Sequence, residues 1–159
     1  MEYRKIKPED DAAIARIIRE NLEKLGLDIP GTAYFDPFLD HISSFYLEDS
    51  ERRAYYIFLN DRGEVCGGVG FAEFAPIPGW AELQKLYLSD EMKGKHKSPE
   101  MVRLVEEEAR KRGYQKIYLE THSNLKAAIQ LYEKLGYQRI PKPEAVVHSS
   151  MDHFYLKDL

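Results

Sequence analysis

The stretch ELQKLYLSDEMKGKHKSPEMVRLVEEEARKRGY, residues 82–114, places a strand, a turn and a helix in direct succession, and the rest of the chain can be built outward from it. WAELQKLYL at 80–88 reads as a strand that follows the Pro and Gly loop APIPG. Ser98 reads as a helix N-cap and Pro99 as the first helical residue. Met101, Leu104, Val105 and Ala109 then form an apolar stripe, and Gly113 is placed to end the helix. Between strand and helix, KGKHKSPEM gathers Lys93, Lys95, His96 and Lys97 around a single glycine, Gly94. A helix N-terminus carries N–H groups without acceptors and roughly half a positive charge, so a turn in front of one suits an anion. The other reading is a solvated basic loop that merely precedes a well-capped helix.

On the N-terminal side, YRKIK alternates like a short strand, and Pro8 with Glu9, Asp10 and Asp11 marks a helix start. Ile14, Ile17, Ile18, Leu22 and Leu25 share one face of that helix, which Gly26 terminates. After the loop GLDIPGTAYF, Asp36 and Pro37 supply an N-cap and a first-turn proline for a second helix carrying Phe38, Ile42 and Phe45. AYYIFLN (54–60) and EVCGGVGFAEF (64–74) read as an antiparallel hairpin across the turn Asp61-Arg62-Gly63, and Gly67, Gly68 and Gly70 hint at close backbone approach. On the C-terminal side come the strand QKIYLE, the helix NLKAAIQLYEKLG ended by Gly136, a strand near YQRI and a last strand HFYLKDL. The order is mixed α and β, with strands meandering early and a β-α-β-α-β run late.

At 159 residues the chain can bury one core but not two comfortable ones, so a single domain over 1–159 is expected. No run approaches the ~18 apolar residues of a membrane span, and MEYRKIKPEDD lacks the apolar segment of a secretory signal. A soluble, cytoplasmic protein with no membrane partner is the expectation, and Cys66, as the sole cysteine, forms no internal disulfide. With 23 Lys plus Arg against 27 Asp plus Glu, the formal net charge of −4 gives no chain-wide attraction to nucleic acid. An anionic ligand must be drawn by a local patch.

The two runs 82–114 and IYLETHSNLKAAIQLYEKLGY together resemble the core of the GNAT superfamily of acyl-CoA-dependent N-acetyltransferases. The order of elements matches over nearly the whole chain, and the helix containing LYEKLGY is the more specific half. The resemblance implies a mixed, mostly antiparallel central sheet flanked by about four helices, with acetyl-CoA as co-substrate and a small-molecule or peptide amine as acceptor. It assigns residues 93–98 to the coenzyme A pyrophosphate. The family pattern there is Arg or Gln, Gly, any residue, Gly, any residue, then Gly or Ala. Lys93 and Gly94 keep it, whereas His96 stands at the second glycine and Ser98 at the small residue, and Pro99 removes an N–H from the first helical turn. Lys95, His96 and Lys97 bring side-chain charge in exchange. The altered pattern keeps open a second reading, a catalytically weakened binding or regulatory module. A donor with a longer acyl chain also stays open.

Acetyl transfer needs a neutral amine, a polarised thioester carbonyl and a proton for the leaving thiolate. By resemblance, Glu82 stands where one branch of the family has its general base. Glu82, Gln84, Leu86 and Leu88 are expected to share one strand face at period two. Tyr132 of LYEKLGY resembles the family's general acid; the competing reading is a packing tyrosine, one of eleven in the chain. Leu86, Tyr87 and Leu88 are placed on the pantetheine arm through their backbone, and Asn124, a natural N-cap, on the coenzyme as well. Loops around Tyr34, Phe35, Asp36, Trp80, Glu120 and His148 offer aromatic faces and carboxylates for a cationic acceptor. His148 and His153 with Asp152 have no second ligand pair, so no metal site is expected. FYLKDL at the end is a candidate for pairing across a homodimer.

Overall fold

A computed structural model describes residues 1–147 and 149–159. One seven-stranded sheet runs through the molecule in the order β1-β2-β3-β4-β5-β7-β6. Its strands are β1 (Glu2–Lys5), β2 (Ala54–Leu59), β3 (Val65–Glu73), β4 (Trp80–Leu88), β5 (Lys116–Thr121), β6 (Gln138–Ile140) and β7 (His153–Asp158). Every neighbouring pair is antiparallel except β4 with β5. Four helices flank it: α1 (Asp11–Lys24), α2 (Ile42–Glu48), α3 (Ser98–Lys111) and α4 (Lys126–Lys134). The mixed, mostly antiparallel architecture expected from the sequence is thus present.

The two faces of the sheet bury different helices. Ile14, Ile18 and Leu22 of α1 and Ile42 and Tyr46 of α2 pack on one face with Tyr55 and Ile57 of β2. Met101, Val102, Val105 and Ala109 of α3 and Tyr132 of α4 pack on the other with Phe58, Val69, Phe71, Leu83 and Leu88. The helical spacing of these apolar residues is what lets each helix present one continuous stripe to a pleated surface. The glycines of β3 serve that packing. A Cβ on Gly68 or Gly70 would lie 2.4 and 2.5 Å from carbons of the Tyr55 ring, so only glycine lets that ring lie across the strand.

The helices α1, α2 and α3 begin at residues other than those expected. The proline turn at Pro8–Asp10 is 3₁₀, and α1 begins after it. Asp36 bonds Phe38 N at 2.8 Å within its own turn, and α2 starts only at Ile42. Ser98 is the first residue of α3 rather than its cap; Lys97 caps without a side-chain bond and Pro99 falls at the second position. The dimer route through FYLKDL is closed, because β7 lies between β5 and β6 and both of its edges are already paired. The sheet's free edges are β1 and β6. No described helix is long and apolar enough to cross a membrane.

Candidate active site

β4 carries the candidate site, and its pairing changes a third of the way along. Against β5 it pairs only through Trp80, Ala81 and Glu82, opposite Lys116, Ile117 and Tyr118. From residue 83 onward no β4–β5 pair is made among the described residues, so one edge of the strand opens. On its other edge, Gly68 faces Tyr87 while Gly70 faces Gln84, so three residues of β4 span two of β3. That extra residue is a β-bulge, and Lys85 within it has φ +52. The Tyr55 ring lies over Gly68 and Gly70, and its hydroxyl donates to the Lys85 carbonyl at 2.8 Å and holds the bulge in place.

The bulge overturns the shared face expected for Glu82, Gln84, Leu86 and Leu88. An inserted residue shifts the period-two alternation by one. Ala81 and Leu83 therefore point to the α3 and α4 face before the bulge, Leu86 and Leu88 point there after it, and Tyr87 turns to the α1 face. Gln84 stays on the α2 side, accepting a bond from the Tyr46 hydroxyl at 2.6 Å. The Leu88 carbonyl is taken by Asn21 of α1, whose amide donates to it at 2.9 Å.

Glu82 sits where β4 and β5 part. The Gln84 amide donates to its carboxylate at 3.2 Å. Burial pushes its pKa up to about 7, with repulsion from Glu120 adding to the rise and the Gln84 bond and the Lys85 charge opposing it. Glu120 lies two residues beyond the Tyr118 that faces Glu82. Its carboxylate accepts from the Tyr118 hydroxyl at 2.9 Å and from Ser149 at 2.7 Å. Trp80 and Tyr118 join Phe74 in an aromatic cluster, with Phe74 and Tyr118 centroids 4.5 Å apart. Asp36 reaches the same neighbourhood through its ion pair with Lys85 at 2.8 Å. Burial opposes and the Lys85 charge drives the lowering of its pKa. Both residues line a small cavity of about 120 Å³ with Phe38, Ile42, Phe45, Tyr46 and Gln84.

Of the six acceptor residues expected from sequence, Asp36, Trp80 and Glu120 gather around Glu82. Tyr34 turns instead to α1, donating to Glu23 at 2.6 Å, and Phe35 packs on Tyr34 while remaining exposed. His148 lies outside the described residues. The Gln84 amide beside Glu82 was expected from the strand period, whereas Lys85, Tyr46 and Tyr118 are neighbours that sequence reading missed; burial of a polar side chain beside a carboxylate is a property of the assembled sheet.

Tyr132 of α4 is buried against Tyr137 and Tyr155, at centroid distances of 5.6 and 6.3 Å. Burial and the neighbouring Tyr87 both raise its pKa, and burial raises that of Tyr87 to about 12. Tyr132 thus stays protonated across the neutral range. Asn124 does not cap α4, whose cap is Leu125; its amide donates to the Leu25 carbonyl at 3.0 Å and ties the start of α4 to the end of α1.

The turn after β4 completes the site. A 3₁₀ turn at Asp90–Met92 leads into residues 93–97, where Gly94 has φ +76 and His96 has φ +55. Both positions where the family pattern calls for glycine are therefore left-handed, although one is a histidine. Among the described residues, none of the backbone N–H groups of Gly94, Lys95, His96, Lys97 and Ser98 has a backbone acceptor. These donors without a backbone acceptor stand in front of α3. Asp90 accepts Lys24 of α1 and, at 2.8 Å, Lys93, which leaves Lys95, His96 and Lys97 as the cationic or titratable side chains of the turn.

Comparison with known proteins places the chain in a family. The model of the Acetyltransferase (GNAT) family matches residues 18–137. The chain belongs to the GNAT family of acetyltransferases. It is 37% identical over 142 residues, 86% of its own length and 81% of the other's, to YjgM of Escherichia coli (strain K12), described as an uncharacterized N-acetyltransferase. An acetyltransferase of the GNAT family from Staphylococcus aureus Mu50 superposes with a TM-score of 0.85 at 14% identity, covering 99% of this chain and 98% of that one. The PaiA N-acetyltransferase from Thermoplasma acidophilum, solved in complex with coenzyme A, superposes with a TM-score of 0.78 at 19% identity over 99% and 98% of the two chains. These two structural likenesses bear on the fold alone. Membership of the GNAT family makes the chain an acyl-CoA-dependent N-acetyltransferase by class. Among the described residues no group of three His, Cys, Asp or Glu side chains is arranged to hold a metal ion.

Proposed function

We propose that this GNAT member transfers the acetyl group of acetyl-CoA to a primary amine of a small molecule or peptide by direct attack. The observation that carries the reading is the layout of β4. A carboxylate with a pKa near neutrality stands where the strand parts from β5, and a row of unpaired backbone donors stands at its far end. The donor row and the positive end of α3 suit a diphosphate, and the open edge of β4 between them offers backbone groups to an amide-bearing arm. Lys95, exposed, and Lys97, half-buried, add charge around the phosphates.

In this reading the acceptor enters beside Glu82, Glu120 and Trp80, where carboxylates and an aromatic face favour an ammonium ion. The bound ammonium first loses a proton to solvent, and Glu82 takes the second, directly or through water, as the neutral amine nitrogen attacks the thioester carbonyl. The nitrogen–carbon bond forms, the carbon–sulfur bond breaks, and the thiolate receives the proton of the Tyr132 hydroxyl, which solvent then restores. A base with a pKa near 7 is matched to an amine at neutral pH, and a buried phenol stays protonated until it is needed. The same layout accepts a longer acyl group as far as the chemistry is concerned.

The weakened binding module suggested by the altered glycine pattern draws no support from the backbone, because His96 adopts the glycine conformation and the donors remain free. Calorimetry with coenzyme A tests the reading at its root: binding in the micromolar range is expected, and no heat at millimolar ligand would remove it. A thiol-release screen over amines then identifies the acceptor class.

A further inference from the structure

The cavity of about 120 Å³ between β4 and residues 36–46 lies next to Glu82, with Gln84 as the shared wall. Gln84 lines the cavity, and its amide donates to the Glu82 carboxylate at 3.2 Å. Phe38, Ile42, Phe45 and Tyr46 make the rest of the wall apolar and aromatic. Most of it is held from behind. Arg53 stacks over the Phe45 ring at 4.2 Å, Phe45 meets Tyr46 edge-on at 5.0 Å, and Tyr46 packs on the Tyr55 ring at 5.1 Å with its hydroxyl given to Gln84. Phe38 differs: it is 52% exposed, so a large apolar ring stands uncovered on the cavity wall.

The charges around the cavity divide into two sets. Asp36 and Lys85, which also line it, form an ion pair at 2.8 Å and largely neutralise each other. Glu82 is held by an amide and Glu120 by two hydroxyls, and among the described residues neither makes an ion pair. An excess of negative charge therefore adjoins a compact apolar hole. Resting on the reading of Glu82 as the base that receives the acceptor amine, we propose that the acceptor is a primary amine bearing one compact apolar group and no free carboxylate. The amine faces Glu82 and Glu120, and the apolar group fills the cavity. An apolar cavity of roughly 150 Å³ holds benzene, so one of about 120 Å³ suits a phenyl ring or a branched alkyl chain. Charge rejects the near relatives. A carboxylate beside the amine meets Glu82, Glu120 and Asp36, while Lys85 is already taken. A second ammonium loses its water among the rings and meets the Lys85 ammonium.

The test measures coenzyme A release over matched amines: phenethylamine, isoamylamine, propylamine, diaminobutane, phenylalanine and phenylalaninamide. The kcat/KM for phenethylamine and isoamylamine should exceed those for propylamine and diaminobutane by roughly 10²-fold, as expected for filling an apolar pocket. Phenylalaninamide should exceed phenylalanine by about 10-fold or more, because only the latter brings a like charge to the carboxylates. Within the class, the faster of phenethylamine and phenylalaninamide tells a free amine from the end of a peptide, and either result supports the proposal. Phe38→Ala, at an exposed position that leaves the core intact, should lower the phenethylamine to propylamine ratio about 10-fold. Equal rates for all six amines, a lead of phenylalanine over its amide, or a ratio unmoved by Phe38→Ala overturns the inference and leaves acetyl transfer to amines standing. Calorimetry with phenethylamine on protein loaded with coenzyme A separates the two readings. Saturable binding that weakens in Phe38→Ala, in a protein that acetylates no amine, would keep the assignment of the cavity and sink the transfer reading; absence of both binding and turnover removes the assignment as well.

Discussion

Around Glu82, where its pairing with β5 ends, β4 works through side chains; at its far end, and in the turn beyond, the chain works through its backbone. Glu82 depends on burial and on its neighbours, so its charge state moves with pH and with single substitutions around it. The donors of residues 94–98 are peptide N–H groups whose direction is set by two left-handed residues. They carry no titratable proton near neutrality and survive replacement of one glycine by histidine. One ligand spans two kinds of site, and each kind fails differently.

The largest effect should come from the side-chain end. Glu82→Gln is expected to lower kcat by roughly 10³-fold, within the usual range for loss of a general base, while coenzyme A affinity measured by calorimetry stays within a few-fold of wild type. Equal losses of both would break the division between the two ends. Tyr132→Phe should cost roughly 10²-fold in kcat with coenzyme affinity nearly unchanged. Unchanged turnover would leave Tyr132 as a packing residue between Tyr137 and Tyr155.

The pH profile follows from the same carboxylate. Glu82 must be ionised to act, so kcat/KM should rise through about pH 7 and level off above it, and Glu82→Gln should abolish that limb. Stability runs the other way. The folded pKa of Glu82 lies above its unfolded value, so its contribution is fully present below the unfolded pKa and is lost as pH rises through about 7. A rise from 4.5 to about 7 corresponds to about 3 kcal/mol at most. Urea unfolding should therefore find Glu82→Gln more stable than wild type at pH 8, with the advantage shrinking toward pH 4. No difference between the two pH values would mean that the carboxylate is solvated in the native state.

The smallest effect is expected at the turn. His96→Gly relieves a left-handed residue with a Cβ and should add about 1 kcal/mol to stability while tightening coenzyme A a few-fold. Weaker binding in this variant would show that the imidazole, rather than the peptide groups around it, had taken over the contact. Ser98 is already helical, so Ser98→Gly should gain nothing and cost a few tenths of a kcal/mol in helix propensity.

Local pattern carried much of this molecule. The apolar stripes of α1 and α3, the hairpin across Asn60 to Gly63 and the position of the donor turn could all be read because period, capping chemistry and turn residues act within a few neighbours. Glu82 and Tyr132 were singled out by resemblance, and their surroundings came only with the fold. The bulge at Lys85 was invisible because a bulge is a count of residues against a partner strand, and it reversed the face on which Leu86 and Leu88 lie. The interior place of β7 was equally out of reach, since the aromatic run FYLKDL reads alike at an edge or between two strands.

The amino-acid sequence by itself determined which segments are helix, strand and turn, which face of each helix is apolar, and that a basic turn precedes a well-formed helix. Tertiary structure alone decided that β4 parts from β5 at Glu82, that Glu120 and Lys85 compete for its charge, and that His96 takes a glycine's backbone conformation. The physical reason is range. Propensity and periodicity act over a turn or a strand, whereas the proton affinity of a carboxylate depends on burial and on charges brought to it from across the fold.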